Sequence, residues 1–255
     1  MKKLIAFLLV VLVCAGSNAS LTIDPYKIEI KMDKNSYFES KYSVQNNYES
    51  DIDLKISFEE WGSYKANKSI GAESWLKIDP AEIFIPKGES REISYSVKTN
   101  ENMQGSLLAQ VAFTVLPVKG GGYIVKMSLP IHVIVRQTEK VEFDVKKLSV
   151  SVKAKEAKLN IEVENTGNIL IKPYGEVKIY KGKKLVNTVN LEPTSSVFID
   201  SKEVFSVKLP KELVAGKYIA EVNIRAYGYD DALNITKKIA FRVKKDGSIV
   251  VGQNK

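Results

Sequence analysis

The sequence predicts an all-β protein of two β-sandwich domains in tandem, and three observations carry that prediction. Apolar residues recur with period two along nearly the whole chain, as they do where one face of a strand packs inward and the other meets solvent. No segment of helical length sustains apolar residues at a 3.6 spacing. Turn signals such as Asp33-Lys34-Asn35, Asn46-Asn47 and Pro86-Lys87-Gly88 cut the pattern into short strands. Short strands at that density, over about 100 residues per half, describe two immunoglobulin-like sandwiches.

Met1-Lys2-Lys3 is a basic start, and the apolar run from Leu4 to Val13 has signal-peptide length but is too short to span a bilayer. Ser17-Asn18-Ala19 offers small residues where a signal peptidase reads, so residues 1–19 are expected to be a signal peptide and Ser20 the first mature residue. A lipoprotein reading would use Cys14, but Val13 stands where that signal carries a small residue. Cleavage after Ala19 removes the only cysteine, so the mature fold is expected to rest on packing without a disulfide. The expected location is the periplasm or the extracellular space.

The first domain is expected over residues 20–137, with strands at 21–31, 40–45, 51–61, 74–78, 82–85, 91–98 and 106–116. Its last strand runs from Tyr123 to Arg136. Tyr123, Val125, Met127, Leu129, Ile131, Val133 and Val135 make one unbroken apolar face, and Ile124, Lys126, Ser128, Pro130, His132, Ile134 and Arg136 a mixed one. Proline cannot donate a ladder hydrogen bond, so Pro130 predicts that part of this strand borders open space. An open edge is where another chain can add a strand. The apolar face is best used by the protein's own core, so a guest would pair with the backbone edge around Lys126 to Pro130. The candidate partner-binding residues are Tyr123, Val125, Lys126, Met127, Leu129, His132 and Arg136.

Arg136-Gln137-Thr138-Glu139-Lys140 contains no glycine or proline and reads as a short, semi-rigid elbow. The second domain is expected over 138–245, with strands at 141–153, 157–164, 175–180, 184–191, 197–199, 204–209, 217–225 and 232–243. Residues 246–255 turn polar and are expected to be a poorly ordered tail.

The formal net charge of +8 hides an asymmetry. From Ser20 to Gln137 there are 14 basic and 15 acidic residues, and from Thr138 to Lys255 there are 22 and 15. A basic second half suits an anionic polymer or an acidic partner. Without interleaved aromatics it also fits lysines that keep exposed strands soluble, and no nucleic-acid partner is expected.

Enzymatic readings find little support. A single histidine and no mature cysteine exclude a Ser-His-Asp or Cys-His triad unless His132 is the base, and His132 sits in an apolar run. No ligand spacing suggests a metal, and no cofactor is expected. Gly120-Gly121-Gly122 lacks the helix and Lys-Ser/Thr pair of a phosphate loop and reads as a hairpin loop. Asp230-Asp231 after Tyr227-Gly228-Tyr229 could hold a cation weakly but reads as a turn. Asn67-Lys68-Ser69 and Asn234-Ile235-Thr236 fit the glycosylation sequon. His132 is either a partly buried residue near the domain boundary or a ligand-facing one in the cleft, with Lys126 and Arg136 on its face by parity.

Ser43-Val44-Gln45-Asn46 followed by Trp61, the run from Pro80 to Ile93, and the strand from Ser106 to Pro117 occur in the order of the motifs of periplasmic pilus-assembly chaperones. The first half resembles that PapD-like family, and Ile131-His132-Val133-Ile134-Val135-Arg136 lies where the family's long strand ends before the linker. The resemblance implies two angled immunoglobulin-like domains that bind a secreted or pilus subunit by β-strand addition. In the family a lysine on this strand and an arginine on the first strand hold the subunit's C-terminal carboxylate. Histidine stands at that lysine position here, and residues 21–31 offer only Lys27 and Lys31. In the second half Asn165-Thr166-Gly167-Asn168 and Arg225-Ala226-Tyr227-Gly228 are faintly similar to chaperone motifs and equally to a family of two-sandwich Gram-positive surface proteins. The alternative function is therefore a structural or adhesive surface module that binds wall polymer or wall proteins.

Overall fold

The computed structural model describes residues 20–59, 61, 71–116, 124–153, 156–229, 233–246 and 248–251. The expected signal peptide, Gly120 to Tyr123, Asp230-Asp231 and the sequon at Asn67 lie outside them. Period-two patterning becomes seventeen described strands and one short 3₁₀ turn, Ala72–Ser74.

In the first half these are β1 (Leu21–Asp24), β2 (Ile28–Met32), β3 (Tyr37–Asn46), β4 (Ile52–Glu59), β5 (Leu76–Asp79), β6 (Glu82–Ile85), β7 (Ser90–Lys98), β8 (Gly105–Val115) and β9 (Val125–Val135). They form two facing sheets, β1-β3-β7-β5 and β2-β9-β8-β4-β6. The single strand expected over residues 21–31 is thus two. Pro25, without an N–H, interrupts the first ladder, and the chain crosses from one sheet to the other before β2 begins.

The alternate residues of each strand meet between the sheets. Val44, Leu54, Ile85, Ile93, Val97, Phe113, Ile131 and Val133 are fully buried in one continuous cluster. Tyr42 anchors it, its ring centroid 4.9 Å from that of Tyr95 and 5.2 Å from that of Phe113. Burying each such side chain contributes about 2 kcal/mol, enough for a core without covalent cross-links.

The second half adds β10 (Phe143–Lys153), β11 (Glu156–Asn165), β12 (Pro173–Lys181), β13 (Lys184–Leu191), β14 (Lys202–Lys208), β15 (Gly216–Ala226), β16 (Asn234–Val243) and β17 (Ile249–Val251). They pair as β10-β11-β14 against β13-β12-β15-β16-β17, around a separate core that includes Leu159, Ile161, Ile169, Ile179 and Val197. The strand expected at 197–199 is a single bridge, Val197 to Ile171. The expected tail is also corrected in part. Ile249–Val251 pair with residues 241–243 of β16, because apolar Ile249 packs against the second core and overrides the polar composition around it.

One structural device occurs in both domains. Asn46 ends β3 and Asn165 ends β11, and both are fully buried. The Asn46 amide donates to the carbonyls of Ser50 and Ile85, and its Oδ1 accepts from the N–H of Tyr48. The Asn165 amide donates to the carbonyls of Ile169 and Val197, and its Oδ1 accepts from the N–H of Gly167. Each asparagine fastens the loop after its strand to a distant segment, Ile85 of the facing sheet for Asn46 and the bridge residue Val197 for Asn165, leaving none of its side-chain polar atoms unpartnered.

Candidate functional site

β9 lies between β8, which pairs with its whole length, and β2, which runs parallel to residues 131–135 only. Among the described residues, positions 125–130 have no strand on that second side. Backbone direction follows from one bond. The Arg136 N–H donates to the Met32 carbonyl at 2.8 Å, so Arg136 faces β2. With period two, the N–H and C=O of Ile134 and His132 face β2 as well, while those of Ser128 and Lys126 face the open side. Pro130 falls on this same register, so the N–H it lacks is one that no ladder bond misses. Those of Val125, Met127 and Leu129 point to β8.

The side chains follow the other alternation. Leu129, Ile131, Val133 and Val135 are buried in the first core with Met127 packed against it, and Val125 at the strand's start is 37% exposed. Lys126 and Ser128 lie on the outer face, where Glu59 reaches across from β4. The Lys126 ammonium is 2.6 Å from Glu59 Oε1, and the Ser128 hydroxyl donates to Oε2 at 3.1 Å. The Lys126 hydrogen bond holds the Glu59 carboxyl below its usual range. Among the described residues no strand takes up the main-chain groups of Lys126 and Ser128 at the open edge, while the apolar row is used by the core. Tyr123 lies outside the described residues.

The far end of the same strand is covered by the second domain. His132 is 5% exposed, and its Nε2 lies 2.8 Å from the Ser106 hydroxyl. That hydroxyl also accepts the Leu170 N–H at 3.0 Å, so one oxygen joins the two domains through the histidine. Asn168 adds a backbone clamp. Its carbonyl accepts the Ser106 N–H at 2.9 Å, its amide donates to the Thr138 carbonyl at 2.8 Å, and its Oδ1 accepts the Lys140 N–H at 2.7 Å. Leu108 and Leu170 are buried together, with Trp61, Phe198 and Ile199 packed around them. Gly105 has φ of 65°, and a Cβ there would stand 2.1 Å from the Asn168 carbonyl oxygen, so only glycine admits this approach.

No protein-family model matches the chain, and no curated protein matches it. Its architecture is similar to that of solved fimbrial chaperones. The class 5 fimbriae chaperone CfaA is 13% identical, aligned over 86% of this chain and 98% of its own, with a TM-score of 0.48. A chaperone–tip adhesion subunit complex, CsuC–CsuE from the archaic Csu pili of Acinetobacter baumannii, aligns at 13% identity over 86% and 98%, with a TM-score of 0.44. The chaperone DraB of E. coli is 14% identical over 86% and 96%, with a TM-score of 0.41. At these values the strand pairing itself, rather than the likeness, defines the fold.

His132 and Arg136 do not join the open edge. Six residues of extended strand, about 20 Å, separate His132 from Lys126. Arg136 lies beyond the strand, 3.6 Å from Asp33, with its side chain exposed. Parity places all three on one face, but the second domain covers only its C-terminal end. That cover was not legible in the sequence, because Ser106 and Leu170 are 26 and 38 residues from the histidine in the chain. The first-strand arginine of the resemblance is absent, and of the two lysines within residues 21–31, Lys27 pairs with Glu29 and Lys31 lies 5.3 Å over the Tyr229 ring.

Burial pushes the His132 pKa from 6.5 down to about 4; Glu29, its neighbour across the ladder, acts in the opposite direction, and Lys27, Lys172 and Lys31 add to the decrease. The buried ring is neutral at neutral pH, with Nε2 free to accept the Ser106 O–H. Between pH 6.5 and 4 the unfolded chain binds a proton that the folded chain refuses, so this group's stabilisation is complete above pH 6.5 and is lost on acidification. We expect about 2 kcal/mol to be lost between about pH 7.5 and about pH 5. Urea denaturation of His132→Gln, which cannot titrate, should lack that component; identical pH profiles for the two proteins would refute it.

Proposed function

We propose that this protein is an exported, non-enzymatic binding module of chaperone type that holds a secreted protein subunit, of the pilus kind, by β-strand addition to the open edge of β9. The observation that carries the reading is the run 125–130, a stretch of strand with one side held by β8 and the other free of any described strand. A guest strand there gains main-chain hydrogen bonds from Lys126 and Ser128, whereas the carbonyl of Pro130 faces Ile28 where β2 begins. Choice of partner comes from the flanking side chains, Val125 on one face and the Lys126–Glu59 pair on the other. The motif resemblance of the first half supports the same class of partner. The Asn168 clamp and the Ser106–His132–Leu170 contacts set the second domain beside the edge, so a long guest would lie against both domains.

The test uses the expected absence of cysteine after residue 19. A single cysteine at Lys126 carries a photo-crosslinker, with an otherwise identical protein labelled at Lys158 on the second domain as the control. Partner isolated from the exporting organism's envelope should crosslink from position 126 and not from 158. Crosslinking of that bound partner only from position 158 would overturn the proposal.

A further inference from the structure

The excess positive charge of the second domain is not spread evenly. β12, β15 and β16 each have one end beside the first domain and one end far from it. Asn168, Ile171, Pro173 and Ala226 are at the near end. At the far end the hairpin Lys181-Gly182-Lys183-Lys184 joins β12 to β13, Lys217 follows Gly216 at the start of β15, and Arg242 is next to last in β16 with Lys244 and Lys245 just beyond it. These seven cations come from three separate segments, and none forms an ion pair among the described residues. Elsewhere in the domain the lysines at 146, 178, 202, 208, 237 and 238 are paired with carboxylates, while among the described residues Lys147, Lys158, Lys172, Lys211 and Arg225 are not, so what sets the seven apart is their grouping at one end. Of the acidic side chains at this end, Asp246 is engaged by the N–H and hydroxyl of Ser248, and Glu156 pairs with Lys208.

Apolar side chains stand among these cations on the outer face of the sheet. Leu185, Tyr180, Ile219 and Ala240 form one cross-strand row, with Leu185 and Ile219 exposed. Lys217, Arg242 and Val250 form the next row on the same face, Val250 also exposed. A groove of about 580 Å³ runs along them, lined by Lys217, Ile219, Ala240, Arg242, Lys244 and Val250. Single exposed apolar side chains occur elsewhere on the protein, but here Leu185, Ile219 and Val250 adjoin in two neighbouring rows among cations, and a soluble polyanion gives them nothing to bury against. Interleaved cations and aliphatic side chains match the headgroup–acyl boundary of an anionic bilayer, where phosphates meet the cations and the apolar row leaves water.

We propose that the far end of the second domain docks on an anionic lipid surface through Lys217, Arg242, Lys244 and the Lys181–Lys184 hairpin, with Ile219, Val250 and Leu185 entering the interface. The first domain's open edge is then held away from the bilayer. The test is co-sedimentation of the chain from Ser20 to Lys255, which contains every described residue, with phosphatidylcholine vesicles with and without phosphatidylglycerol. Binding is expected only with phosphatidylglycerol and should fall steeply from about 0.1 M to about 1 M salt. Reversing Lys217, Arg242 and Lys244 to glutamate together should weaken it by about tenfold or more. Ile219→Ser with Val250→Ser should reduce vesicle binding and leave retention on dextran sulfate unchanged. As a readout on a second variant, the emission of Ile219→Trp should shift to the blue on phosphatidylglycerol vesicles and not on dextran sulfate. No sedimentation with anionic vesicles at low salt overturns the proposal. So does vesicle binding without the tryptophan shift, which would mark the end of the domain as a general polyanion surface.

Discussion

Asn165→Asp and Asn46→Asp are each expected to lower the free energy of unfolding at neutral pH by about 3–5 kcal/mol, although neither changes the volume of the side chain. Each asparagine is fully buried and aims its amide at two backbone carbonyls while its Oδ1 accepts a backbone N–H. The carboxylate would retain only the accepted bond. It would turn an oxygen toward two carbonyl oxygens and carry a charge into a fully buried site. Urea denaturation at pH 7 measures the loss, which should shrink as acidification returns a proton to the carboxyl. Because the two residues occupy matching places in separate cores, the two substitutions should have similar effects. A near-neutral result for either would mean that the loop after that strand is not held by the side chain.

Ser128→Pro is expected to weaken partner binding by about tenfold or more while changing folding stability by less than about 1.5 kcal/mol. The Ser128 N–H points to the open side of β9, so removing it breaks no bond to β8, whereas a guest strand loses a donor and meets the proline ring. Leu129→Pro is the contrast. Its N–H points to β8, and its side chain is buried in the first core, so that change should destabilise the domain itself. The pair separates a backbone-edge contact from a general effect of proline in the strand. Equal binding by the Ser128→Pro protein would place the partner elsewhere.

Much of this was legible in the sequence for a simple reason. Period-two alternation is a local property, so strands such as β6 (Glu82–Ile85) and β13 (Lys184–Leu191) have their expected ends and most others differ by one to three residues. The one-sided apolar face of β9 and the open edge announced by Pro130 are also local. What is not local was missed or mixed. The change of sheet at Pro25 places β2 against only half of β9, and that partial pairing is what decides where the edge opens. Position along the chain puts His132 near the domain boundary, but its burial depends on Ser106 in β8 and Leu170 in the loop after β11. The grouping of seven cations at one end of the second domain is likewise a product of the ladders, since Lys181, Lys217 and Arg242 are neighbours only after β12, β15 and β16 pair. At Ile249 a polar stretch hid a strand whose apolar residues find an existing edge.

Residue-resolved amide hydrogen exchange on β9, with the partner absent and then bound, tests the open edge most directly. In the free protein the amides of Met127 and Leu129 should exchange slowly and those of Lys126 and Ser128 quickly, and on binding the latter two should become slow. Fast exchange at Lys126 and Ser128 in a saturated complex, or slow exchange at both in the free protein, would contradict the account.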